Sequence, residues 1–254
     1  LLWPLLALAT QEALTEGQRS SPEADIPMTE DKKSSLETKK SSERVLAPRS
    51  VLLRGDERSS PDRHEVPMTE EHPFMNKNFY GATKIAGEAM CKAYYDRYGL
   101  DYVGLRYMNV YGAGQDQHAV YSGVVPVVLN KIDRNEQPVV NGDGTQAYDF
   151  IYVEDVARSN ISAIKSDIKL GYYNIGTGVQ TNVKHLCNTM LKLKNSDLKI
   201  KYIPYNSDDA RQLVQNRIGS TEKAEQELGV KYKYSLEEGL KELIKWREKK
   251  GIKG

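Results

Sequence analysis

Apolar residues recur at helical spacing between Phe79 and Tyr98, at Ala82, Ala86, Ala89, Met90 and Ala93, and the run stops at Gly99, a residue suited to the left-handed turn that closes a helix. This pattern predicts a helix over 79–98 with that stripe as its packing face. Immediately afterwards Asp101-Tyr102-Val103-Gly104-Leu105-Arg106-Tyr107 is a β-rich run. Before it, Val45-Leu46-Ala47 and Val51-Leu52-Leu53 flank Pro48-Arg49-Ser50 and end near Gly55, which reads as a buried strand. Strand, helix and strand in that order make a crossover unit, and hence a parallel sheet whose ligands bind beyond the carboxyl ends of the strands. Asn109-Val110-Tyr111-Gly112-Ala113-Gly114 falls at such an end.

The alternation continues downstream. Helices are predicted over 123–135, 154–165, 183–193 and 221–228, and extended segments over 147–153, 172–175 and 198–203. A last helix carries Leu236, Leu240, Leu243 and Ile244 on one face, with Glu237 four residues before Lys241 on its solvated side. Upstream the chain differs in character. Leu1 to Ala9 is an apolar run with no basic region before it, which argues against a secretion signal, and it is too short to span a bilayer. Residues 10–43 are rich in Ser, Lys and Glu and nearly free of aromatics, a composition that predicts disorder. The stretch from Arg19 to Asp31 also resembles Arg58 to Glu71, with Pro-Met-Thr-Glu at both 27–30 and 67–70. Two copies are too few for a solenoid. A local duplication accounts for them, and residues 1–43 are taken as an aberrant segment without a function of their own.

Composition narrows the class. The 254 residues can bury one large α/β core or two smaller ones. Basic and acidic residues number 36 and 35, well mixed, so neither a nucleic-acid nor a membrane partner is indicated. Cys91 and Cys187 have no companions at metal-ligand spacing, so no metal site is expected, and the reading is of packing residues in a reducing, cytoplasmic compartment.

The candidate chemistry lies in Tyr80-Gly81-Ala82-Thr83-Lys84. On a helix the spacing of four puts Tyr80 and Lys84 on one face. A phenol with a pKa near ~10 is a poor base, but a cation close by favours its phenolate, and such a pair can take a proton from a sugar or steroid hydroxyl. A bare Tyr-x-x-x-Lys is common by chance, and the competing reading is an ordinary exposed pair.

Three further stretches follow this pair in order: Leu105-Arg106-Tyr107-Met108-Asn109-Val110-Tyr111-Gly112, then Gly142-Asp143-Gly144-Thr145-Gln146-Ala147-Tyr148-Asp149-Phe150-Ile151-Tyr152-Val153-Glu154-Asp155-Val156-Ala157, then Tyr173-Asn174-Ile175-Gly176-Thr177-Gly178. Together the four resemble the extended short-chain dehydrogenase/reductase superfamily, and within it the NAD-dependent nucleotide-sugar epimerases and dehydratases. The resemblance covers residues 44–250. It implies an α/β fold, here an incomplete doubly wound parallel sheet (Rossmann-like, its C-terminal half) with a smaller α/β substrate-binding domain. Residues 44–110 would be what remains of the NAD-binding domain and 111–254 mainly the substrate-binding region, with 147–165 returning to the Rossmann-like part.

The resemblance also implies roles. Tyr80 would take a proton from a sugar hydroxyl while hydride passes to NAD, and Lys84 would bind the nicotinamide ribose and lower the tyrosine pKa. Ser50 matches the assisting hydroxyl residue, although Arg54 stands where a tyrosine is usual, and a plain strand-end serine is the alternative. Family dehydratases follow that hydroxyl with Asp-Glu; here Val51 and Leu52 follow, and apolar side chains cannot move protons, so epimerisation fits best. Asn109 corresponds to an asparagine that contacts substrate near the glycosyl phosphate, or else simply holds a turn. The usual diphosphate-binding arginine before Asp-Phe is replaced by Tyr148, which leaves Arg211 or Arg217 to supply that charge unless they are surface residues. The expected substrate is a nucleotide-diphosphate sugar, UDP-hexose by preference, and the resemblance is compatible with a homodimer.

One departure stands out. The family opens with a glycine-rich turn that lets the backbone approach the dinucleotide pyrophosphate. Before Tyr80 this chain has only Gly17 and Gly55. The chain is therefore expected to be a fragment of an NAD-dependent epimerase lacking the N-terminal glycine-rich half, or alternatively a catalytically inactive decayed homologue or a dehydratase or reductase of the same superfamily.

Overall fold

The computed structural model describes residues 6–9, 67–74, 79–116, 123–205 and 216–252. All lie in one compact unit, 1–11 with 64–254; the second unit, 12–63, is outside the described residues, and with it the expected strand at 45–53 and Ser50.

In chain order the elements are β1 (Leu6–Ala9), α1 (Phe79–Tyr98), β2 (Tyr102–Tyr107), β3 (Asn109–Tyr111), α2 (Val124–Asp133), β4 (Val139–Asn141), β5 (Ala147–Tyr148) and β6 (Phe150–Tyr152). There follow α3 (Val153–Lys165), β7 (Leu170–Ile175), β8 (Thr181–Asn182), α4 (Val183–Leu193), β9 (Lys201–Ile203), β10 (Asn216–Arg217), α5 (Glu222–Leu228) and α6 (Leu236–Lys249).

The sheet is built on β2 and β7, which run parallel in full register from Tyr102 opposite Leu170 to Tyr107 opposite Ile175. All six β2 residues are buried, which is why the run shows no alternation of apolar and polar residues and Arg106 is its one charged member. On its other edge β2 takes β1 as an antiparallel neighbour, Leu6 opposite Arg106 and Ala9 opposite Val103. The sequence pattern predicts a parallel sheet and no strand at 6–9. A strand buried on both faces cannot leave its edge amides unpaired, and the short apolar run supplies the missing partners. Further parallel pairs join β3 to β6, β4 to β9 and β10 to β5, while β5 and β8 pair antiparallel.

Two apolar cores share β6. Phe150 and Tyr152 enter one with Leu129, Leu186, Met190 and Leu240, whereas Ile151 enters the other with Leu105, Tyr173, Ile175 and Leu228. The period of two along a strand sends alternate side chains to opposite layers, so three residues divide the two cores between them. The surrounding helices start and stop where local chemistry dictates. Asn182 caps α4 by accepting from the His185 amide at 2.7 Å, and Ser235 with Glu238 forms a reciprocal capping box on α6. Gly229, at φ 62°, closes α5 in the left-handed conformation that glycine adopts without strain.

Helix α1 has the predicted limits but turns the other way. Ala82, Ala86, Ala89, Met90 and Ala93, expected to pack, are all exposed, and the buried residues of the helix are Gly81 and Glu88. The reason is a buried ion pair: Glu88 reaches Arg106 on β2, and that fixes which face points inward. Alanines offer too little apolar surface to compete.

Two substitutions rank the contributions to stability. Leu240→Ala, at a fully buried position, is expected to cost about 2–5 kcal/mol, and Ser235→Ala about 1 kcal/mol through loss of the cap. Urea unfolding of both variants checks that order.

Candidate active site

Tyr80 and Lys84 lie in the first turns of α1, where the Lys84 ammonium sits over the Tyr80 ring, 5.2 Å from its centroid. The Thr83 hydroxyl donates to the Tyr80 carbonyl at 2.8 Å and steadies that turn. The phenol is half-buried, and burial pushes it up from its ordinary value. Burial sets the direction of the shift, and the expected lowering by Lys84 does not overcome it. An ammonium held on the π face acts on a phenolate less strongly than one placed beside the oxygen.

A second group of residues gathers where β2 and β7 end. Two residues beyond the end of β2, Asn109 opens β3; its amide donates to the Asp149 carbonyl at 2.9 Å and its side-chain Nδ2 to the same oxygen at 3.1 Å. Asn109 is thus tied to the junction between β5 and β6, the behaviour of an asparagine that holds a turn, with its side-chain oxygen making no contribution to that tie. Asp149 itself is fully buried. Its carboxylate accepts from the Thr177 amide at 2.8 and 2.9 Å, from the Thr177 hydroxyl at 2.7 Å and from the Gly178 amide at 2.8 Å, so it folds the loop after β7 back over the strand ends. Burial nevertheless holds it above the usual carboxylate range, against the pull of these donors. Gly176 is obligatory here, because a Cβ would collide with Asp149 and with Met108.

Arg217 is on β10, directly opposite Tyr148 of β5, and its carbonyl accepts from the Asp149 amide at 3.1 Å. Burial pushes the guanidinium down from its ordinary value and Tyr148 pulls it back up, while Arg217 in turn lowers a Tyr148 phenol that burial has raised. A cation therefore stands beside the position where the resemblance leads one to look for an arginine. Arg211 and Ser50 lie outside the described residues. Tyr80 is brought together with Lys84, and Arg217 with Tyr148 close to Asn109. Sequence reasoning gave no role to Asp149, Glu88 or Arg106. The available signal was a charged residue inside an apolar run, as in Leu105-Arg106-Tyr107 and Tyr148-Asp149-Phe150.

Cys187 is buried and its thiol is pushed up to about 11, the behaviour of a packing residue, and Cys91 is half-buried. Among the described residues, no group of three or more His, Cys, Asp and Glu side chains is placed to hold a metal ion, and no helix is long and apolar enough to cross a membrane.

An α/β fold whose sheet is built on a parallel strand pair, with a Tyr-x-x-x-Lys helix and polar residues gathered at the strand ends, defines a Rossmann-like protein of the short-chain dehydrogenase/reductase type. The NAD dependent epimerase/dehydratase family model matches residues 35–176, more than half of the chain, and the chain belongs to that family, whose cofactor is NAD. The UDP-glucose 4-epimerase of Halalkalibacterium halodurans is 31% identical over 201 residues, covering 72% of this chain and 59% of that protein. Among solved structures, the UDP-N-acetylglucosamine 4-epimerase of Methanobrevibacter ruminantium, in complex with UDP-N-acetylmuramic acid, superimposes with a TM-score of 0.69 at 30% identity, covering 74% of this chain and 59% of that one. The UDP-glucose 4-epimerase of Thermus thermophilus, in complex with NAD, gives 0.63 at 27% identity with the same coverage. The chain spans somewhat under three-fifths of the length of these relatives.

The raised carboxyl of Asp149 makes stability depend on pH. A group that binds its proton more tightly folded than unfolded contributes fully below the unfolded value, about pH 4, and that contribution is lost as pH rises through the folded value. Asp149→Asn is expected to flatten this fall while lowering stability overall, since an amide with one acceptor oxygen cannot satisfy all three donors. Urea unfolding between pH 4 and 7 reads it as a wild-type-minus-variant difference that shrinks with rising pH; a constant difference would contradict the assignment.

Proposed function

We propose that the chain is the larger part of an NAD-dependent nucleotide-diphosphate-sugar epimerase, acting on a UDP-hexose by transient oxidation of a sugar hydroxyl. The observation that carries this reading is the Tyr80/Lys84 pair at the head of α1, with the ammonium 5.2 Å from the ring it would serve. In this reading Tyr80 Oη takes the proton of the sugar hydroxyl and later returns it. Lys84, swinging from the ring face to the phenol oxygen, stabilises the phenolate. The chemistry that NAD supplies when bound is acceptance and return of a hydride at the same carbon. Tyr80 and Lys84 fit the nicotinamide ribose end of the cofactor. The pyrophosphate end has no match in the chain, because the only glycines before Tyr80 are Gly17 and Gly55. Arg217, a partly desolvated guanidinium beside Tyr148, suits the substrate diphosphate, and Asn109 at the strand end suits the neighbouring glycosyl phosphate. Val51 and Leu52 offer no carboxyl for water elimination, which favours epimerisation over dehydration.

A second reading, a homologue that has lost catalysis, is favoured by the upward-shifted Tyr80 phenol and by the absent glycine-rich turn. One experiment separates the two. Turnover of UDP-glucose and UDP-N-acetylglucosamine with added NAD is measured for the chain completed by the glycine-rich N-terminal half of a family relative, and for Tyr80→Phe in the same form, with calorimetric NAD titration alongside. The epimerase reading expects NAD binding and a loss of about 10²–10⁴-fold in turnover for Tyr80→Phe at unchanged thermal stability. NAD binding without turnover in the completed wild-type protein establishes the second reading.

We also propose that the outward face of α1 is a self-association surface. Phe79 is 94% exposed, and Met90, Tyr94 and Tyr98 project from the same helix, an apolar face that a monomer would leave in water. Tyr94→Lys with Met90→Lys is expected to convert a dimer to a monomer in light scattering; a dimer that persists would exclude this face.

A further inference from the structure

Arg106 is the fifth residue of β2, only 8% exposed, and each of its guanidinium nitrogens is engaged. Nε donates to Glu88 Oε1 at 2.8 Å and Nη2 to Glu88 Oε2 at 2.7 Å, a side-by-side fork, while Nη1 donates to the Glu70 carbonyl at 2.8 Å. The rings of Phe74 and Tyr172 lie 5.2 and 5.4 Å from its central carbon. Glu88, 5% exposed, stands one helical turn beyond Lys84 and two beyond Tyr80 on α1. Apart from Gly81 it is the buried residue of that helix, whose alanines face outward.

The segment that leads toward α1 is held from the same place. Asn174, the register partner of Arg106 on β7, donates its amide to Glu70 Oε1 at 2.7 Å and its Nδ2 to the Met68 carbonyl at 3.0 Å. Met68 in turn exchanges backbone hydrogen bonds with Ile218 and Ser220, each at 2.8 Å. Residues 67–74 and the helix that carries Tyr80 and Lys84 therefore converge on one guanidinium.

We propose that Arg106, acting through Glu88, is a positioning residue: it sets the depth and rotation of α1 and so the placement of Tyr80 and Lys84, a role that rests on reading those two as the acid/base pair. An apolar contact made of alanines allows a helix to slide or turn at little cost. A buried bidentate fork does not, because either motion leaves a charge unpaired away from water. Lysine cannot replace it, having a single nitrogen for acceptors that arginine meets with three.

Hydrogen exchange on the purified chain tests this without substrate or cofactor, comparing peptides from 67–74 and 79–98 with 236–249 as the internal reference. Glu88→Gln and Arg106→Lys are each expected to speed exchange in 67–74 and 79–98 by at least ~10-fold while 236–249 changes by less than ~2-fold. The paired apolar variant Glu88→Leu/Arg106→Met guards against a purely energetic explanation: it is expected to recover the thermal midpoint but not the protection of 79–98. Unchanged exchange of 79–98 in Arg106→Lys, acceleration spread evenly over 236–249 as well, or full recovery of protection in the apolar pair would each overturn the proposal. None of these outcomes bears on the chemistry of Tyr80, whereas undiminished turnover in Tyr80→Phe would remove the acid/base reading and leave the exchange result standing.

Discussion

The parallel register that sets Arg106 of β2 against Asn174 of β7 puts two polar side chains into the middle of a sheet whose central strand is otherwise sealed from water. A buried guanidinium is tolerated only if paired and fully hydrogen-bonded. That requirement reaches outward. It draws Glu88 inward and so chooses the inner face of α1; it fixes the Glu70 carbonyl and, through Asn174, the Glu70 carboxylate; and it lays Phe74 and Tyr172 against the cation. The cation's demand for partners, more than apolar packing, orients the helix on which the candidate chemistry depends.

Asp149 has a similar part at the other side of the strand ends, with the sign reversed. It is a buried anion satisfied by backbone amides and a hydroxyl and by no cation, so the carboxylate is stabilised by hydrogen bonds alone and burial still raises it. The loop after β7 is ordered by those donors. The Asp149 carbonyl meanwhile receives both Asn109 donors, and its amide is taken by Arg217. One residue thus joins the end of β2 and β3, the turn after β7, and β10, three pieces that are far apart in the chain and adjacent at the site. The rim of a parallel sheet is where ligands bind, and here the rim is held by two oppositely charged anchors.

How far the sequence could be read follows from the same physics. Periodicity located α1 and α4 to the residue, since both are regular, ended by a glycine or opened by a capping asparagine. It misjudged the rotation of α1 because a count of apolar positions gives alanine the weight of leucine, while a single buried Glu88 outweighed all five stripe residues. The two- and three-residue strands, such as Thr181–Asn182 and Asn216–Arg217, carry too few residues to show alternation and exist only because neighbours pair with them. β1 is a related case: an apolar run without alternation gives no local sign of a strand, whereas its place beside β2 is set by that strand's unpaired edge. Motif order identified the family, and it singled out Tyr80 and Lys84, which the structure brings into contact on α1. The working contacts of Asp149 and Arg106 were invisible because their partners lie 18 to 36 residues away or more.

The state of Tyr80 connects these points to chemistry. In this structure the phenol is half-buried, shifted upward, and faced by a Lys84 ammonium placed over the ring. Burial favours the protonated tyrosine. In the proposed epimerase reading the cation acts from beside the oxygen, and the four flexible carbons of Lys84 allow that move while Tyr80 stays where the helix holds it. In the proposed reading the division of labour is physical: rigid backbone, anchored through Glu88, keeps the phenol in place, and a mobile ammonium decides whether it holds or releases its proton. An anchor that let α1 rotate would change the position of both groups at once, and no adjustment of Lys84 could restore the geometry.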